Sequence, residues 1–327
     1  IEDDPPTTQA RVSTLRLPDT SWVNKLSTDL NQNAFVQACD RRTITLCKLW
    51  TAASRLVDYA HVSGAAGIVV PASSSGEFWF STSQLLDRRD RLGYQPHRLA
   101  TVLKCLESSG MRVFVSIRPD TPLSGIEAQI RRKPGSASEY LRERTGRLRR
   151  YNSLNPAVQK SVSSMVSDLV QQCTPYTDFA GIVIECDDQT HLEPPSVNVQ
   201  NPDTGTLSVF GQSHQIPANT TDLQSWLRGP GQGILKSWLR DLSRRALAQI
   251  CEAAPNKPVI LVMRVPSDDR TTKDIERVNP LAGVWPDKPE NLLAAELFDL
   301  DSTHTRGKLL RSSLSRSEVS TGISTVP

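Results

Sequence analysis

The feature that most constrains this chain is a repeated unit: an amphipathic helical stretch, a turn of a few residues, and a short unbroken run of Val, Ile and Leu. The runs are Gly67–Val70, ending at Pro71; Met111–Ile117, stopped by Pro119; Phe179–Glu185; and Val259–Met263, with a weaker fifth at Leu292–Phe298. A half-exposed strand alternates apolar and polar residues, so strands apolar at every position are covered on both faces. Helical connectors between such strands imply parallel pairing and an α/β layer.

The helical stretches obey the same logic. Leu46, Leu49, Trp50, Ala53, Leu56 and Val57 recur at helical spacing, and Ser63-Gly64 follows where a C-cap belongs. Leu99, Val102, Leu103 and Leu106 make a second stripe, closed by Gly110. In the third, Asn155 is placed to cap and Pro156 takes the first helical position. Val158, Val162, Met165, Val166, Leu169 and Val170 then run along one face. A fourth runs from Ile234 through Trp238, Leu239, Leu242 and Leu247 to Ile250, and turns at Pro255–Pro258.

The expected fold is therefore α/β, a (β/α) TIM-type barrel, whole or incomplete, or else a doubly wound sheet. Long segments follow the strand ends (Ser73–Pro96, Pro119–Leu154, Cys186–Gly233), whereas the helix-to-strand turns are short. That asymmetry is what a barrel uses to build a site at its C-terminal face. No G-x-G-x-x-G or Walker loop follows a strand, which removes the phosphate signature of the doubly wound alternative. Gly229–Gly233 is rich in Gly, follows no strand and reads as a plain loop. Residues 1–42 read as an N-terminal arm or linker with one modest helical signal around Trp22, Val23 and Leu26. Residues 43–301 read as the barrel-like domain, and 302–327, rich in Ser, Thr, Arg and Lys, as a flexible, disordered tail.

With 38 basic against 35 acidic side chains, the net charge of +3 predicts neither nucleic acid nor an anionic membrane as the main partner, and a neutral or weakly charged ligand fits better. No apolar run approaches the roughly 18–20 residues that span a bilayer, so the chain reads as soluble. It opens on Ile1 and not Met, and is read as a processed product or part of a longer chain, with export undetermined. The six cysteines show no C-x-x-C pair, and the five histidines show no H-E-x-x-H or i, i+4 relation. No metal and no cofactor is expected.

The sharpest chemical candidate is Ile184-Glu185-Cys186-Asp187-Asp188, where the third strong run after the first two meets its long loop. Alternation puts Val183, Glu185 and Asp187 on one face and Ile182, Ile184 and Cys186 on the other. Cleavage of a glycosidic bond requires two carboxyl groups, a proton donor and a nucleophile or base. Glu185 is read as the acid, with Asp187, Asp188 or Glu296 as partner; the alternative is that these acids cap the next segment or sit in solvent. Glu77 and Trp79, beside Phe78 and Phe80, suit a sugar-stacking wall, or else pack on the rim. Tyr151 and Asn152 could hydrogen-bond hydroxyls, or else cap and pack. The basic stretch Arg131–Arg150 is a solvated loop or a patch for phosphate or acidic glycan.

The segment Tyr151-Asn152-Ser153-Leu154-Asn155-Pro156-Ala157-Val158-Gln159, its helix, and then Phe179-Ala180-Gly181-Ile182-Val183-Ile184-Glu185 resemble bacterial glycoside-hydrolase-like proteins described as family 10-like. There a "YNPLNPxVR" segment leads into a helix and a strand of the "FDGIxxx" type. Ser153 stands where that pattern has Pro, and Gln159 where it has Arg. The resemblance implies a TIM-barrel domain that acts on glycosides or descends from proteins that do. The expected partner is carbohydrate, and the expected function is hydrolysis of glycosidic bonds in a poly- or oligosaccharide, or binding of carbohydrate or a protein without turnover.

Overall fold

The computed structural model describes residues 14–17, 19–74, 77–84, 97–107, 109–119, 121–142, 150–186, 190, 204–214, 223–265, 292–298 and 323–325. Seven strands form one sheet: β1 (Thr14–Arg16), β2 (Gly67–Pro71), β3 (Arg112–Ile117), β4 (Phe179–Cys186), β5 (Val259–Val265), β6 (Leu292–Phe298) and β7 (Ile323–Thr325). Every neighbouring pair is parallel. The spatial order is β6-β5-β4-β3-β2-β1-β7, so successive strands lie side by side and the last strand lies beside the first.

That order separates the two architectures left open by the sequence. A doubly wound sheet reverses its strand order at a switch point. Here six of the described strands run in unbroken succession and the last described strand returns to the free edge of the first, the cyclic sequence of a half-barrel.

The helices are α1 (Trp22–Leu26), α2 (Arg41–Val62), α3 (Arg98–Leu106), α4 (Ser124–Arg132), α5 (Pro156–Cys173), α6 (Thr204–Ser213), α7 (Leu223–Arg228) and α8 (Gln232–Glu252), with shorter turns between. Local chemistry fixes their ends. Asp40 Oδ1 accepts from the amides of Arg42 and Thr43 at 2.8 and 3.0 Å, and Asn155 Oδ1 accepts from Ala157 N at 2.8 Å ahead of Pro156. Gly64 and Gly110 take φ of +70° and +74° just past α2 and α3, where a side chain would be strained.

Two apolar clusters divide the sheet. Ile68, Val70, Val113, Val115, Ile117, Ile182, Ile184, Val259 and Leu261 pack with the helices in the main core. Their alternates Val69, Phe114, Val183, Ile260 and Val262 form a separate cluster on the opposite face. Both faces are covered, which is why these strands read as continuous apolar runs.

The structure differs from the expectation at several places. The stretch read as an arm supplies β1, and α1 buries Trp22 and Val23. β1 has three residues and one apolar side chain inside the core, so pairing to β2 and β7, and not local hydropathy, holds it. The stretch read as a tail supplies β7. The long Cys186–Gly233 segment contains α6 and α7, which pack Phe210 and Leu227 against Trp238 of α8 and against Leu154. On α2 the buried set is Leu49, Ala52, Ala53, Leu56 and Ala60; Leu46 and Trp50, read as part of the stripe, are 52% and 64% exposed. Among the described residues no helix is long and apolar enough to cross a membrane.

Candidate active site

The C-terminal ends of the strands carry the groups that matter. Arg16 is the last residue of β1 and Glu185 the penultimate residue of β4. By register Arg16 aligns with Val69, Val69 with Phe114, and Phe114 with Gly181. Glu185 lies four residues farther along β4 than Gly181 and is in register with Val262. Glu185 and Arg16 therefore share the face of the Val69, Phe114, Val183 and Val262 cluster, as alternation along the strand requires.

The two side chains meet. A nitrogen of the Arg16 guanidinium lies 2.6 Å from Glu185 Oε2, and the residues are only 5% and 3% exposed. On a flat sheet, three strand spacings across and four residues along would separate their backbones by roughly 19 Å. An extended arginine and an extended glutamate do not cover that span. The contact is thus a physical consequence of a curled and twisted sheet, whose concave face brings β1 and β4 together over β2 and β3.

Beneath the ion pair lies the apolar floor of Val69, Phe114 and Val183. Ser116 of β3, in register with Pro71 and Val183, belongs to this concave face; it is fully buried, and its Oγ makes no hydrogen bond. Two residues on, the Arg118 backbone is clamped to the chain leaving β2: its amide donates to Ser73 Oγ at 2.8 Å, and that hydroxyl donates to Arg118 O at 3.1 Å.

The other candidates are distributed as follows. Trp79 is buried in the helix-side core, tilted on Trp22 with ring centres 6.2 Å apart, and its Nε1 donates to Glu77 Oε2 at 3.4 Å. Glu77 also faces Arg98 at 3.7 Å, and burial pulls the Arg98 guanidinium below its ordinary value. The buried Tyr151 hydroxyl donates to Glu127 Oε1 at 2.6 Å and accepts from Leu123 N at 3.1 Å. Asn152 Oδ1 accepts from Leu154 N at 3.0 Å, and its backbone N–H donates to Tyr140 O at 2.7 Å, so this pair holds the segment ahead of α5 to α4 and to Tyr140. The backbone of Glu296 in β6 is in register with Met263, one position beyond the Val262 to which Glu185 is registered. Asp187 and Asp188 lie outside the described residues. Among the described residues no group of three or more His, Cys, Asp or Glu is arranged to hold a metal ion.

Sequence reasoning singled out Glu185 and missed Arg16 and Ser116. The only local trace of Arg16 is a charged residue between Leu15 and Leu17, and Ser116 is one small polar residue inside an apolar run.

No protein-family model and no curated protein sequence matches the chain. Among solved structures it is similar to a β-galactosidase from the psychrophilic Marinomonas ef1, with 12% identity, 78% of this chain covered and a TM-score of 0.42. It is also similar to a family 20 catalytic module of the pneumococcal exo-β-D-N-acetylglucosaminidase StrH, with 9% identity, 88% covered and a TM-score of 0.40. A third is a family 1 β-glucosidase from Thermotoga maritima, with 10% identity, 70% covered and a TM-score of 0.31. The chain spans 37%, 58% and 41% of these proteins' own lengths. Similarities of this size leave function to be argued from the chain's own residues.

Proposed function

We propose that this chain is a glycoside-hydrolase-like (β/α) barrel unit that cleaves glycosidic bonds in a poly- or oligosaccharide, with Glu185 as one of two carboxylates. One observation carries the reading: Glu185 is a carboxylate on the concave face at the C-terminal end of β4, where a (β/α) layer assembles its chemistry. The resemblance of Tyr151–Gln159 and its helix and strand to family 10-like proteins adds to it.

The ion pair refines the role. In this contact Glu185 offers an oxygen to a guanidinium donor, an arrangement that suits a nucleophile or base better than a proton donor. The donor then comes from Asp187 or Asp188, since the register of Glu296 with Met263 and Cys186 puts it out of step with Glu185. Glu77, Trp79, Tyr151 and Asn152 support the mouth from behind: Trp79 and Glu77 pair on the chain after β2 against Trp22, and Tyr151 and Asn152 hold the segment ahead of α5 to α4.

The second reading is a barrel that binds carbohydrate or a protein partner without turnover. The same ion pair favours it, because an oxygen of Glu185 is already engaged. The two readings separate in a turnover screen over diverse glycans using wild type and Glu185→Gln. Glutamine keeps an oxygen for Arg16 and loses the charge, so a hydrolase falls by about 10³-fold or more when assayed without denaturant at a temperature where the variant is folded. Full turnover in the variant would remove Glu185 from the chemistry, and glycan binding with no turnover in wild type would select the binding barrel.

A further inference from the structure

We infer that a cleft on the rim, between the end of α6 and the first turns of α8, is a second sugar-binding site that holds a neutral, polyhydroxylated ring. The inference rests on the reading of the chain as a glycan-active barrel and adds to it a subsite that neither Arg16 nor Glu185 lines.

Position comes first. α8 ends just before β5 begins, and its last turns carry Leu247, Ile250 and Cys251 into the main core. Its first residue therefore lies about 30 Å back along the layer, at the C-terminal rim where Glu185 stands. Leu154, directly ahead of α5, packs there with Phe210, Trp238 and Leu239. α6 itself belongs to the chain that continues from the strand of Glu185.

The cleft encloses about 420 Å³, the size of a small-ligand site, and is lined by His214, Gly233, Ile234, Ser237, Trp238 and Asp241. One wall is a group of rings. His214 stacks on Phe210 with centres 4.5 Å apart, and the two meet Trp238 edge to face at 6.0 and 5.2 Å. Packing holds the imidazole without a hydrogen bond, since its Nδ1 is buried and has no partner. The opposite wall exposes backbone: a Cβ at Gly233 would meet nothing within 4 Å. α8 starts without a side-chain cap; Gln232 N and Leu235 N donate to Gly229 O and Gly231 O, whereas among the described residues the amides of Gly233 and Ile234 have no acceptor.

The chemistry of the lining selects the ligand. Open N–H donors stand at the start of α8, and farther along the same helix Asp241 holds Oδ1 against Arg244 at 3.2 Å and leaves Oδ2 as an acceptor. An anion would meet the carboxylate, and a cation would leave the amides unmet. A sugar hydroxyl donates and accepts, so one ring satisfies both kinds of group, and its C–H faces suit Ile234 and Trp238.

The test titrates cellohexaose, xylohexaose and maltohexaose calorimetrically into the full chain. At least one should bind, and Glu185→Gln should bind it within about twofold, because Glu185 is not part of the cleft. Gly233→Phe fills the cleft from a position with open space around it and should weaken binding about tenfold or more; His214→Ala should weaken it about fivefold. Gly233→Phe keeps the test decisive should the histidine variant fail to fold. Binding that Gly233→Phe leaves within twofold, or that Glu185→Gln abolishes while Gly233→Phe does not, overturns the inference and leaves the glycan reading standing. Absence of binding by all three probes overturns the inference, and the glycan reading is then decided by the turnover screen alone.

Discussion

Gly181→Ala should destabilise the chain by about 2–4 kcal/mol, because the strand that carries Glu185 runs too close to the start of β5 to admit a methyl group. A Cβ at Gly181 would fall 2.5 Å from Pro258 O, 2.8 Å from Pro258 Cγ and 3.3 Å from Phe114 Cδ1. The first of these is backbone and cannot rotate away. Pro258 O also accepts the amide of Ile182 at 3.0 Å, so the added carbon strikes the oxygen that pins β4 to β5. Overpacking of this kind costs about 1–3 kcal/mol, and weakening a buried backbone hydrogen bond about 1–3 more. The reduced freedom of the unfolded chain returns about 0.4–1 kcal/mol. Urea denaturation followed by tryptophan fluorescence reads the net effect as a midpoint lowered by roughly 1 M. Gly233→Ala is the control: nothing lies within 4 Å of its Cβ and it sits in α8, so it should be neutral or stabilise by up to about 1 kcal/mol. A Gly181→Ala midpoint equal to wild type, with a normal response in the control, would refute the packing of β4 on β5 and with it the placement of Glu185.

Two further outcomes follow from local chemistry. Asn155→Ala removes the side-chain acceptor of Ala157 N at the buried start of α5 and should cost about 1–2 kcal/mol by the same denaturation assay, while Asn155→Asp should recover most of it. Burial pushes the thiols of Cys173 and Cys251 up from 9.0 to about 12, with the charge of Glu252 adding to the effect at Cys251. A folded-state value above the unfolded one means stability that is complete below pH 9 and is lost as pH rises toward 12; the melting temperature should fall across that window, and less so in Cys173→Ala. At pH 8 a thiol reagent should label Cys39, Cys47 and Cys105, which are partly exposed, well before Cys173 and Cys251.

Much of the architecture was legible in the chain because its long elements are self-consistent. α2, α3, α5 and α8 carry their stripes and end signals locally, and β2 to β5 announce burial on both faces by unbroken Val, Ile and Leu. The position of Glu185 was also legible, since alternation alone puts it with Val183, and the structure divides those residues from Ile182 and Ile184 in that way. What escaped is non-local. β1 and β7 have three residues each and exist because a neighbouring strand pairs with them. Leu46 and Trp50 fit the helical period, yet α1 and α3 cover only the adjacent face of α2. Arg16 became visible only when curvature brought β1 over β4, a fact no window along the chain contains.

That curvature is also where the account is most exposed to test. Arg16→Gln and Glu185→Gln, singly and together, form a double-mutant cycle read by urea denaturation. Each single change strands a buried charge and should cost about 3–5 kcal/mol, whereas the double variant, with no charge left unpaired, should cost at least about 2 kcal/mol less than the two singles combined. Strictly additive costs would mean that the residues do not touch, that the sheet is not curled as described, and that Glu185 does not stand at the concave mouth.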